Sequence, residues 1–161
     1  MIKTYTVASV AETEACAREL AALLEGRGIK RAFIAFFGEM GVGKTAFSRG
    51  FASHFGITAV KSPTYTVLNE YRGRCRIHHF DFYRITDGDD LYSIGYDDIV
   101  ESDGYCLGEW SENIVPYLPE GTVRVTISRC RFDAEATDEE LMARRIEIDF
   151  GDLIKDDNTQ L

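Results

Sequence analysis

A glycine-rich turn between an apolar segment and an amphipathic one restricts this chain more than any other feature. Gly38-Glu39-Met40-Gly41-Val42-Gly43-Lys44-Thr45 fits the spacing G-x-x-x-x-G-K-[ST] at every position. Before it, residues 32–37 are an unbroken apolar run, as expected of a parallel strand buried on both faces. After it, Phe47, Phe51 and Phe55 recur at helical spacing, and Gly56 stands where a helix C-cap belongs. The loop is thus expected between a strand and a helix, the context that a phosphate loop requires.

The chemistry explains the residue types. Glycines let backbone N–H groups converge on a polyphosphate without a Cβ in the way. The helix N-terminus adds partial positive charge. Lys44, read as an exposed loop residue, is expected to reach the β- and γ-phosphates, and the Thr45 hydroxyl to ligate Mg²⁺.

The length of 161 residues suits one domain with a real core. Residues 1–150 are assigned to a phosphate-loop domain and residues 151–161 to a frayed polar tail. No apolar run approaches the ~20 residues of a membrane helix, and residues 1–5 lack the apolar centre of a signal peptide. The expectation is a cytoplasmic protein with no membrane partner. A net charge of −9 argues against strong direct binding to a nucleic-acid backbone. Cys16, Cys75, Cys106 and Cys130 show neither C-x-x-C nor zinc spacing, so reduced thiols are expected.

Residues 4–8 alternate weakly, as a peripheral strand would. Ser9-Val10-Ala11-Glu12 is a capping box opening a helix with Cys16, Leu20, Leu23 and Leu24 on one face, ending at Gly26 or Gly28. That helix either only covers the sheet or also touches a nucleotide base, through Thr13. Pro63 fixes a rigid approach to Thr64. Thr64 either acts as a switch-like residue near a metal or lies in a turn leading into a strand.

Residues 67–71 and 76–83 are expected to pair as an antiparallel hairpin around Gly73. Arg72, Arg74 and Arg76 make its tip basic, either as solvated surface or as a dock for an acidic partner or tRNA. Alternation puts Ile77, His79, Asp81 and Tyr83 on one face, with His78, Phe80, Phe82 and Arg84 on the other. Asp81 stands where a carboxylate directing Mg²⁺ or water belongs. Residues 86–101 are acidic, with a short helix near 89–94, and have no calcium-loop spacing. Residues 105–110 form a short apolar strand ending in an acid, Glu109, the Walker B arrangement with Glu in place of Asp. Trp110 is expected either near the site or in the core. Ser111 begins a short helix that Pro116 and Pro119 break. Residues 122–127 and 145–150 are strand-like, and the segment 133–142 is polar with room for a short helical piece.

Three classes of phosphate-loop protein compete. A small-molecule kinase needs an arginine-bearing lid and an acceptor pocket, for which the chain has little length. A GTP switch usually carries N-K-x-D and D-x-x-G, and neither string occurs. The third class is an ATPase that drives a partner.

The blocks 38–50, 61–66 (Lys-Ser-Pro-Thr-Tyr-Thr), 79–84 (His-Phe-Asp-Phe-Tyr-Arg) and 108–110 (Gly-Glu-Trp) resemble, in order and spacing, those of the TsaE (YjeE) family. The resemblance implies an α/β fold, a single phosphate-loop domain with a mixed central sheet flanked by helices. It implies a bacterial Mg²⁺-dependent ATPase needed to make threonylcarbamoyladenosine at position 37 of tRNA. The implied partners are TsaB and TsaD, with tRNA reached only through them. Glu39, Met40, Gly41, Val42, Gly43, Lys44, Thr45 and Ala46 become the expected ATP-binding residues. Lys44, Asp81 and Glu109 become the expected catalytic residues, Thr45 and Glu109 the metal residues, and Thr64 the switch-like threonine. Either Asp81 or Glu109 can orient the attacking water while the other serves Mg²⁺. With no obvious arginine finger adjacent to these motifs, turnover by the subunit alone is expected to be slow, and a partner residue supplied in trans is worth ~10³ or more in rate.

Overall fold

The structure, a computed structural model, describes residues 1–62, 67–130, 137 and 142–155. Seven strands form one sheet: β1 (Ile2–Val7), β2 (Arg31–Phe37), β3 (Leu68–Arg72), β4 (Arg76–Asp81), β5 (Gly104–Glu109), β6 (Val123–Arg129) and β7 (Arg144–Asp149). Their spatial order is β1-β7-β6-β2-β5-β4-β3. The four central strands β6, β2, β5 and β4 run parallel, and β1, β7 and β3 are antiparallel additions at the two sides. The sheet is therefore mixed, and the central strand β2 feeds the glycine-rich loop.

Helices α1 (Val10–Gly26) and α2 (Lys44–His54) pack together over one face. Their core includes Leu20, Leu24, Phe47 and Phe51 against Ile34, Phe36, Ile77, Leu107 and Ile146. The Ser9 side chain caps α1 by accepting from the Glu12 N–H, 3.1 Å away. The Glu12 carboxylate reaches back to the Ala8 N–H, one residue earlier than a standard capping box. On the opposite face a second cluster joins Phe33, Phe80, Phe82 and Cys106 to Leu91, Tyr96 and Ile114. Phe80 and Phe82 stack with ring centroids 5.1 Å apart.

The acidic segment holds two helices, α3 (Gly88–Ser93) and α4 (Tyr96–Glu101), rather than one. The buried Tyr96 ring anchors the second, a packing signal that the surrounding acids hide. Some of those acids are local caps: Asp87 accepts from the Asp90 N–H, and Asp90 from the Thr86 N–H. Pro116 lies inside the 3-10 segment Ser111–Tyr117, which non-helical Ile114 divides. A proline near the start of a fresh turn gives up an N–H that has no partner there. Beyond β7, Ile154 is buried in the first core cluster, and its carbonyl accepts from the Met1 ammonium at 3.3 Å. Packing thus continues past residue 150. Among the described residues no helix is long and apolar enough to cross a membrane.

Candidate functional site

The loop leaves the C-terminal end of β2 and re-enters at α2. Gly38 has φ +143° and Gly43 φ +123°, backbone conformations that glycine tolerates and other residues rarely adopt. A Cβ on Gly38 would also strike the Ile127 carbonyl of β6. β6 thus runs so close alongside the loop that a side chain has no room. The loop is also tied to the segment after β5, because the Gly38 N–H donates to Glu112 Oε1 at 3.0 Å.

Lys44 is 5% exposed, against the expectation of an exposed loop residue. Its position at the head of α2 turns the stem inward. Nζ donates to the Gly38 carbonyl at 2.8 Å and lies 4.1 Å from the centroid of the Trp110 ring. Trp110 has a left-handed backbone, φ 59°, and its ring thus forms a wall beside the ammonium. The packing against Lys44 draws a cation–π interaction worth roughly 0.5–2 kcal/mol.

Three polar side chains meet at the foot of the loop. The Thr45 hydroxyl donates to Glu109 Oε1 at 3.1 Å, and Glu109 Oε2 lies 2.6 Å from His79 Nε2. Asp81 and Glu109 are register partners at the ends of parallel neighbours β4 and β5. Their backbones are therefore about 4.8 Å apart, and their side chains leave the same sheet face. That face is the one covered by α1 and α2. Asp81 accepts from the Tyr83 N–H at 2.9 Å. Burial pushes the Asp81 carboxyl above its ordinary range, the Tyr83 N–H opposes this, and the Glu109 charge adds to it.

The cradle suits a polyphosphate: amides at a helix N-terminus, a held ammonium, and glycines at 38, 41 and 43 that put no Cβ in the turn at those positions. The donor set of Thr45, Glu109 and Asp81 is all oxygen, which suits a hard divalent cation. Among the described residues no group of three or more His, Cys, Asp or Glu makes a self-contained metal site. Mg²⁺ commonly takes one or two carboxylates and fills its shell with phosphate oxygens and water, and such a site needs no larger cluster.

Thr13 lies next to the end of the loop, its methyl 3.8 Å from where a Cβ on Gly43 would stand. Its hydroxyl donates to the Ser9 carbonyl within its own helix at 3.3 Å. Thr64 lies outside the described residues. The arginines of the β3–β4 turn are paired: Arg74 with Glu25 at 3.3 Å, and Arg72 and Arg76 with Glu70 at 3.0 and 3.7 Å.

Motif reading assigns no role to two residues near the loop. His79 is fully buried against Glu109, and its place on the Asp81 face was the available signal. Arg129, at the end of β6, lies 4.0 Å from Glu39, with Nη2 3.8 Å from where a Cβ on Gly41 would stand. The parallel pairing of β6 with β2 brings this arginine to the loop, a placement that none of the sequence motifs signals.

A phosphate loop on a central parallel strand, with acids ending two neighbouring strands, defines the class of phosphate-loop nucleotide-binding proteins. Within that class, residues 7–139 match the family model of the threonylcarbamoyl adenosine biosynthesis protein TsaE. The chain belongs to the TsaE family. The Bacillus subtilis tRNA threonylcarbamoyladenosine biosynthesis protein TsaE is 33% identical over 91% of this chain and 90% of its own length. The Rickettsia bellii protein of the same name is 32% identical over 79% of this chain and 88% of its own. A crystal structure of Bacillus subtilis YdiB superposes with a TM-score of 0.70 at 28% identity, covering 95% of this chain and 88% of that one.

Proposed function

We propose that this chain serves tRNA threonylcarbamoyladenosine biosynthesis by binding and hydrolysing ATP with Mg²⁺, acting on a TsaB–TsaD pair. Membership of the family supports the pathway. The ATPase reading is carried by one observation: the Thr45 hydroxyl and the Glu109 carboxylate meet at 3.1 Å directly behind the loop lysine. Asp81 stands alongside on the next strand.

The chemistry asked of these residues is positioning and electrostatics. The amides of residues 39–46 and the Lys44 ammonium hold the β- and γ-phosphates. Bound Mg²⁺ would neutralise charge on the same oxygens. Thr45 and Glu109 hold it, Glu109 directly or through a water. The more accessible Asp81 is the better placed of the two acids to accept a hydrogen bond from the attacking water. Trp110 shields Lys44 from solvent and so strengthens its field. The acidic surface, with a net charge of −9, leaves tRNA to the partner proteins.

The test is hydrolysis of γ-labelled ATP by the chain alone and with TsaB–TsaD. Label appearing as inorganic phosphate, slowly alone and faster with the pair, is the expected result. Label on an organic acceptor would make the protein a small-molecule kinase instead. Equal turnover with and without TsaB–TsaD would remove the partner from the account.

A further inference from the structure

His79 has no part in the scheme above, yet it is fully buried and touches the acid at the centre of that scheme. Its Nε2 lies 2.6 Å from Glu109 Oε2. Its Nδ1 is buried and has no hydrogen-bond partner among the described residues. A carboxylate offers only acceptors, so the ring proton sits on Nε2 and points at Glu109. The contact thus casts His79 as the donor and Glu109 as the acceptor.

We propose that His79 is a positioning residue for the metal site. By occupying Glu109 Oε2 it turns Oε1, and that oxygen alone, toward Thr45 and the cation. His79 sits two residues before Asp81 on β4, while Glu109 ends β5. The contact therefore also locks together the two strands that supply the acids. Outer-sphere hydrogen bonds of this kind orient metal-bound carboxylates, and their loss commonly costs 10- to 100-fold in metal affinity. The inference rests on the reading of this site as one for ATP and Mg²⁺.

Position-matched substitutions separate positioning from bulk. In His79→Gln the amide nitrogen falls where Nε2 was, so the donor to Glu109 survives. In His79→Asn the amide nitrogen falls near Nδ1, and the donor is lost from a side chain of similar polarity. Nucleotide binding is followed by the emission of the single tryptophan, Trp110, with Mg²⁺ varied and with excess EDTA. Thermal unfolding checks each variant's fold. His79→Gln is expected to keep the wild-type Mg²⁺ requirement within about threefold. His79→Asn is expected to raise it by about 10- to 100-fold, with affinity in EDTA unchanged. Equal Mg²⁺ requirements in Asn and Gln variants would overturn the role of His79 and leave the ATP site standing. An Asn variant that loses affinity equally with and without Mg²⁺ would do the same. Wild-type protein whose nucleotide binding ignores Mg²⁺ would overturn both.

Discussion

The crossing of α1 over α2 sets where the head of α2, with Lys44 and Thr45, can stand, and two glycine substitutions measure how tight that crossing is. Gly50 lies buried at mid-helix in α2. A Cβ there would stand 2.6 Å from the Glu14 Cα and 2.9 Å from its carbonyl carbon. Both are backbone atoms of α1, which cannot rotate away as a side-chain tip would. Overpacking against rigid neighbours costs about 1–3 kcal/mol, and this contact belongs at the upper end. Alanine's better helix propensity returns about 0.8–1.0 kcal/mol. The net expectation for Gly50→Ala is a loss of about 1–2 kcal/mol. For a chain of this size that lowers Tm by about 2–8 °C. Gly26, in the last turn of α1, has nothing within 4 Å of its Cβ position. Gly26→Ala there should add about 0.4–1 kcal/mol by restricting the unfolded chain. The assay is thermal unfolding of both variants by circular dichroism, beside wild type. A Gly50→Ala protein as stable as Gly26→Ala would refute the argument, because the two helices would then not be in backbone contact.

Other perturbations address the site. Lys44→Ala should weaken ATP binding about 10- to 150-fold, the worth of a hydrogen bond from a charged donor, read by Trp110 emission. Asp81→Asn should spare ATP affinity and depress turnover, the pattern of an interaction made mainly in the transition state; a comparable loss of affinity would instead make Asp81 a principal metal ligand. Burial pushes the Cys16 and Cys106 thiols up to about 12. At pH 8 the folded protein should therefore hold them roughly 10³-fold less as thiolate than a free cysteine. Iodoacetamide should label them only after unfolding, as mass spectrometry of the digested protein would report.

Local rules carried much of this fold into view. The capping box at Ser9, the phenylalanines of α2, the β3–β4 hairpin and the acid ending β5 each depend on neighbours close in sequence. Such signals survive without knowledge of tertiary contacts. Lys44 looks exposed in the sequence because the ring it packs against, Trp110, is 66 positions away in the chain. The second helix of the acidic segment is hidden in the sequence because the residues that hold it, Tyr96, Ile99 and Val100, stand among acids. His79 and Arg129 reach the site only through strand pairing. β4 beside β5 sets the histidine on Glu109, and β6 beside β2 brings the arginine to the loop. Neither pairing is written in a local pattern. Ile154 is hidden for the same reason, since the pair Leu153-Ile154 in a polar stretch declares itself only when the core is assembled.

Paramagnetic Mn²⁺ in place of Mg²⁺ tests the meeting of loop, nucleotide and acids most directly. Titrated with a non-hydrolysable ATP analogue and followed by electron paramagnetic resonance, the wild-type chain should bind about one Mn²⁺ per nucleotide. Lys44→Ala should weaken that binding about 10- to 150-fold, in step with its loss of nucleotide affinity, and Glu109→Gln should weaken it about tenfold or more. Mn²⁺ held equally well by Glu109→Gln and wild type would contradict the assignment of this carboxylate to the metal.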